Sequence, residues 1–198
     1  MNTYNYLEQN EVGLSFEEIC DLVLEGSVCK LRAVTPDDAP SIYENANDPT
    51  VYKKRLTWAK EWYDLEDAQC FVDYAISEHQ KPEKRMLGIE VNSEIVWVTS
   101  ITRNRYPYNK TAYVSIWIGK KARGTGAAKD ALQLICDNAL RLFPDLIRLE
   151  AKIFESNKAL PHILEEIGFV LEGKHEKMIL YQQQILDELV YKKIVYKE

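Results

Sequence analysis

The stretch Trp117–Leu132, WIGKKARGTGAAKDAL, constrains the fold more than any other part of the chain. An alternating run, AYVSIWI, reads as a strand and passes into a short basic turn holding Gly124 and Gly126. The turn opens a helix whose apolar residues Ala128, Ala131, Leu132, Ile135 and Ala139 follow the spacing of one helical face. A strand, a glycine turn and a helix start in this order favour an anion, because the first helical N–H groups have no intrahelical partner and the helix dipole adds partial positive charge. Glycines let the backbone meet that anion with no side chain between. Two common phosphate cradles are excluded by spacing. A Walker loop needs Lys at position 125, which is Thr, and a dinucleotide fingerprint needs a third glycine at position 129, which is Lys.

The turn resembles the Gln/Arg-x-x-Gly-x-Gly/Ala signature of the GNAT superfamily of acyl-CoA-dependent N-acyltransferases. It is read as Lys121-Ala122-Arg123-Gly124-Thr125-Gly126, with Lys121 in place of the usual Gln or Arg. A Gly-x-Gly turn also serves simply to begin a helix, so other stretches must agree. LRAVTPDDAPSIYENANDP, starting at Leu31, resembles the opening of the RimJ/RimL-type branch. ESNKALPHILEEIGFVLEG matches the family's Asn…Gly-Phe-x-x-Glu-Gly pattern at Asn157, Gly168, Phe169, Glu172 and Gly173. QQQILDELVY is similar to the family's ending, in which an Asp precedes an apolar strand with a Tyr. The four lie in family order over about residues 28–195. The resemblance implies an α/β (α+β) GNAT fold: a mixed, mostly antiparallel sheet of about seven strands, splayed parallel middle strands, and helices on both faces.

Composition agrees with a globular protein. The chain has 198 residues, 46% hydrophobic and 28% charged, enough for one domain with a full core. Net charge is −6 with no Lys/Arg run, which argues against nucleic acid; it is compatible with a cationic acceptor such as an amine, though an ordinary cytoplasmic protein explains it better. The four cysteines form no C-x-x-C pair and the three histidines are scattered, so neither zinc nor a disulfide framework is expected. No signal pattern or membrane-length apolar run is present, and the expectation is a cytoplasmic monomer or homodimer.

In chain order, residues 1–26 are read as an N-terminal extension with a short helix that begins at the capping box Ser15…Glu18 and ends at Gly26. The resemblance implies that residues 27–198 form the acetyltransferase domain. Val28–Val34 alternates as a strand, and Thr35-Pro36-Asp37-Asp38 starts a helix. Residues 51–64 carry Trp58 and Trp62 on one helical face, for burial or for lining an acceptor site. Ala68–Ile76 is amphipathic. Three strands follow, Arg85–Val91, Glu94–Thr102 and Thr111–Gly119, the last two joined by Arg103–Lys110, a loop suited to a partner or to a solvated tip. Asp145–Phe154 alternates and should run parallel to the strand before the glycine turn. A helix over Lys158–Ile167 and a terminal hairpin complete the chain.

The resemblance implies direct transfer of an acetyl group from acetyl-CoA to an amine of a small molecule or protein. Acetyl-CoA would bind along Trp117 and Ile118 and at the turn through Arg123, Gly124, Thr125, Gly126, Ala127 and Ala128, with Lys121 and Arg123 adding charge for the phosphates and Asn157 contacting the pantetheine arm or capping its helix. The oxyanion donor would be a backbone N–H of Ser115–Ile118. The positions where relatives place an acid are Leu160 and Leu164. Tyr113, Glu150, His162, His175 and Tyr181 are substitutes by type, with Glu150, His162 and Tyr181 the catalytic candidates. A GNAT-fold protein that binds acyl-CoA without efficient transfer is the alternative.

Overall fold

The computed structural model describes residues 14–47, 63–79, 81–105, 107–181 and 183–196. Alternating apolar stretches assemble one eight-stranded sheet in the order β1-β2-β3-β4-β5-β6-β8-β7. The strands are β1 Val23–Glu25, β2 Lys30–Arg32, β3 Lys84–Val91, β4 Glu94–Arg103, β5 Thr111–Ile116, β6 Arg148–Phe154, β7 Val170–Tyr181 and β8 Gln184–Ile194. All neighbouring strands pair antiparallel except β5 with β6. That parallel pair is where a helix crossover interrupts the meander, as the strand–helix–strand order predicts.

Helices cover both faces. On one face lie α1 (Phe16–Cys20), α4 (Ala127–Asp137), α5 (Ala139–Leu142) and α6 (Leu160–Glu166), sharing a core with Leu87, Ile89, Ile101, Val114, Leu149 and Ile153. On the other, α2 (Ala39–Ala46) and α3 (Leu65–His79) pack Ile42, Phe71, Val72 and Ala75 against Met86, Ile95, Trp97 and Val98. The α2 start is held by Arg32, which pairs bidentately with Asp38, while Asp38 also accepts from Thr35 N and Oγ1. No described helix is long and apolar enough to cross a membrane.

Three sequence expectations are corrected or completed. The first helix stops at Cys20, not Gly26, and Val23–Glu25 pairs with β2 as an edge strand. This raises the sheet from about seven strands to eight and places Ile19, Leu22 and Leu24 in the main core. The strand read as Thr111–Gly119 ends at Ile116. The cations of the loop after β4 are paired within the chain, Arg103 and Lys110 with Asp145 and Arg105 with Glu83. Trp58 and Trp62 lie outside the described residues.

Candidate active site

The middle of the sheet opens. β5 and β6 pair only at Thr111↔Arg148, Ala112↔Leu149 and Tyr113↔Glu150, although both strands continue. The chain after β5 stays with β4 instead: Thr99 faces Ile116, Trp117 N donates to Val98 O at 2.9 Å, and Gly119 N to Val96 O at 2.9 Å. Successive N–H groups of an extended chain point to opposite sides. Those of Ile116 and Ile118 therefore point away from β4 and into the gap beside β6.

A bulge in β4 accompanies this path, because Ile89 faces Trp97 while Glu90 faces Ile95, leaving Val96 as the extra residue. Asn45, buried at the end of α2, donates to the Ile95 carbonyl at 3.3 Å. Its side chain fills the space where a Cβ at Gly119 would sit, with Oδ1 only 2.4 Å from that point.

The gap leads to the glycine turn. After a tight turn over Lys120–Ala122, Gly124 adopts φ +77° and Gly126 φ +90°, and α4 begins at Ala127. Both dihedrals lie in the left-handed region that suits glycine. A Cβ at Gly124 would meet nothing within 4 Å, so this surface is open to a docking group. No side chain caps α4 from Gly126, which leaves the first-turn N–H groups beyond Ala127 for an anion. Thr125 braces the turn, donating to Ala122 O at 2.8 Å and accepting from Ala127 N at 3.3 Å. A diphosphate fits this cradle in charge and in space. Lys121 is paired with Glu44 at 2.8 Å, which raises its pKa through that hydrogen bond and commits its charge to α2. The Gln/Arg-x-x-Gly-x-Gly/Ala signature also fits two residues later with no departure, as Arg123-x-x-Gly126-x-Ala128. That frame puts its glycine at the left-handed residue opening the helix.

Asp130, in the first turn of α4, holds the β1–β2 turn against the cradle. Its carboxylate accepts from the N–H groups of Val28 (2.7 Å), Cys29 (2.9 Å) and Ser27 (3.3 Å) and from the Ser27 hydroxyl (3.2 Å). Burial alone would raise this carboxyl, but these donors outweigh it and hold the pKa below the ordinary value. From sequence Asp130 is one more acid near a helix start. Its partners lie about a hundred residues away, so periodicity carries no signal for it.

Asn157 accepts from the N–H groups of Ala159 and Leu160, each at 3.2 Å, at the start of α6. Capping of this kind predicts that Asn157→Ala lowers stability by about 1 kcal/mol. Thermal melts with and without acetyl-CoA separate the two expected roles. An equal loss in both assigns Asn157 to capping alone, whereas a larger loss with acetyl-CoA adds a contact to the pantetheine arm.

The catalytic candidates are dispersed. Glu150 stands at the fork, on the last β5–β6 rung, with Arg148 Nε 2.8 Å from its carboxylate. Tyr181 stacks on Phe154 at the far end of β6, ring centroids 6.3 Å apart, and burial raises its pKa. Phe154 is four residues from Glu150 along the strand, roughly 13 Å at strand spacing. His162 is exposed on α6, which packs on the face of Leu149 and Ala151, opposite Glu150. His175 lies 3.3 Å from Glu188, and Tyr113 lies beneath Lys152. Leu164 is buried and Leu160 packs against the same core. The sheet face opposite α4 also carries a hydroxyl pair, Ser100 Oγ to Ser115 Oγ at 2.8 Å, which no sequence pattern indicated.

Comparison with known proteins agrees with this architecture. The bacterial ribosomal-protein-serine acetyltransferase of Escherichia coli (strain K12) is 26% identical over 145 residues, covering 73% of this chain and 80% of the relative. The RimL ribosomal L7/L12 alpha-N-protein acetyltransferase in complex with coenzyme A superposes with a TM-score of 0.76 at 23% identity, over 88% of this chain and 98% of that one. The microcin C7 self-immunity acetyltransferase MccE, solved with acetyl-CoA and AMP, gives 0.75 at 22% identity, over 85% and 93%. Mycobacterium smegmatis RimJ in complex with CoA-disulfide gives 0.77 at 19% identity, over 88% and 86%. Residues 29–170 match the family model described as an acetyltransferase (GNAT) domain, and the chain belongs to that family.

Proposed function

We propose that the protein transfers an acetyl group from acetyl-CoA to the terminal amine of a protein, with the diphosphate at Arg123–Ala128 and the thioester in the β5–β6 gap. The observation carrying this reading is the gap itself: strands that part after three rungs, bordered by the Ile116 and Ile118 N–H groups and leading to the open turn at Gly124. The neutral amine nitrogen bonds to the acetyl carbon, the carbon–sulfur bond breaks, and the proton the nitrogen sheds ends on the departing sulfur, giving the free thiol. An N–H aimed into the gap stabilises the oxygen as charge develops on it. A protein terminus as acceptor is supported by the names of the relatives, two of which modify ribosomal proteins.

Thiol release from acetyl-CoA should be followed with peptides bearing a free amino terminus, the same peptides blocked at that terminus, and small amines. Turnover confined to free termini is the expected result. Turnover only on small amines overturns the acceptor assignment, and binding without release on any of them favours the acyl-CoA-binding alternative.

No single side chain is expected to be an indispensable acid. Leu160 and Leu164 cannot supply a proton, and a thiol with a pKa near ~8.5 leaves without strong assistance. Glu150→Gln, His162→Ala and Tyr181→Phe should each keep more than about a thousandth of kcat/KM, since general acid–base catalysis contributes typically 10²–10⁴-fold. A folded variant falling below that level identifies the missing catalyst and overturns the expectation.

A further inference from the structure

Along β6, Leu149, Ala151 and Ile153 enter the core beneath α4 and α6, so Arg148, Glu150, Lys152 and Phe154 share the opposite face. The cations near that strand are mostly committed. Arg148 binds Glu150 and Glu172, Lys192 binds Glu172, and Lys174 binds Asp187. Lys152 differs. It is exposed, its Nζ lies 4.7 Å from the centroid of the Tyr113 ring, and among the described residues it has no carboxylate partner.

Its place is also particular. Lys152 follows Glu150, the last β6 residue paired with β5, by two positions, on the rim where the gap opens. The strands are about 4.8 Å apart where they pair and part beyond Glu150, so the four-carbon stem of Lys152 carries its amine into the mouth of the gap. Attraction to a ring at an exposed site is weak, so the amine leaves Tyr113 readily and can sweep toward Ser115 and Ile116.

We propose that Lys152 is an internal acetyl acceptor. Its ε-amine attacks the carbonyl of acetyl-CoA held in the gap. The ammonium first gives one proton to water; the neutral amine then forms the N–C bond as the C–S bond breaks, and its surplus proton goes to the departing sulfur, so CoA leaves as the thiol. The neutral product removes this cation from the rim of the gap. This inference rests on the gap being the thioester site.

The test incubates the full chain with acetyl-CoA and maps acetyl groups by peptide mass spectrometry. One acetyl group per chain on Lys152 is expected, at a rate per molecule independent of protein concentration. Gly124→Asp should slow Lys152 modification at least tenfold while leaving other exposed lysines unchanged, and Lys152→Arg should remove the main site. Modification of Lys152 no faster than that of other lysines, or at the same rate in Gly124→Asp, overturns the proposal, as does a rate that rises with protein concentration. Calorimetric titration with acetyl-CoA on the same sample separates the failures. Bound acetyl-CoA with unmodified Lys152 rejects only the internal acceptor, whereas no binding rejects the thioester site as well.

Discussion

Gly124→Asp should weaken acetyl-CoA binding by on the order of a hundredfold to a thousandfold while leaving the fold intact. A Cβ at this position meets no protein atom within 4 Å, so the substitution fills only the space through which a phosphate would approach. The left-handed φ of +77° costs little for Asp, which tolerates that region better than most residues. The new carboxylate faces the incoming diphosphate. Two like charges about 4 Å apart repel by about 4 kcal/mol at the effective dielectric of a protein surface, and each 1.4 kcal/mol is about tenfold in affinity. Calorimetric titration against acetyl-CoA, with circular dichroism to verify folding, checks this. Unchanged affinity in a folded variant removes the turn from the cofactor site.

Asp130→Ala should destabilise the protein by about 2 kcal/mol, in line with hydrogen bonds to a charged group and the N–H groups left without it. The loss should centre on the β1–β2 turn, whose three N–H groups and one hydroxyl all converge on this carboxylate. The pH dependence follows from the depressed pKa. The stabilisation is fully present above the unfolded value near ~3.9 and is lost as pH falls through the lower folded value. Denaturant melts of wild type and Asp130→Asn should differ at neutral pH and converge below about pH 4. A constant gap between them across this range contradicts the account.

Much of the fold was legible because periodicity and turn chemistry agree. The β3–β4 hairpin turns at Asn92-Ser93, where both residues adopt positive φ (51° and 66°), as a tight two-residue turn requires. The glycine turn and the parallel pair followed from the strand–turn–helix order, whereas the splay of that pair was implied by the family resemblance. β1 escaped because three residues alternate too briefly to register, and a helix start at Ser15 has no glycine to mark its end before Gly26. The candidate site was half legible. Backbone groups at the turn depend on glycine positions, which sequence shows. The pairings of Lys121 with Glu44 and of Asp130 with residues 27–29 depend on tertiary contact, which it does not. The dispersal of Glu150, His162 and Tyr181 depends on which sheet face or strand end each occupies, a matter of register and packing rather than residue type.

The central claim, that acetyl-CoA lies in the β5–β6 gap with its diphosphate on the turn before α4, is tested most directly by a crystal structure with a non-transferable acetyl-CoA analogue. The account predicts diphosphate oxygens within hydrogen-bond distance of the N–H groups of Arg123–Ala128 and the thioester carbonyl beside the Ile116 or Ile118 N–H. An analogue bound at full occupancy elsewhere, with the gap closed by further β5–β6 pairing, would contradict it.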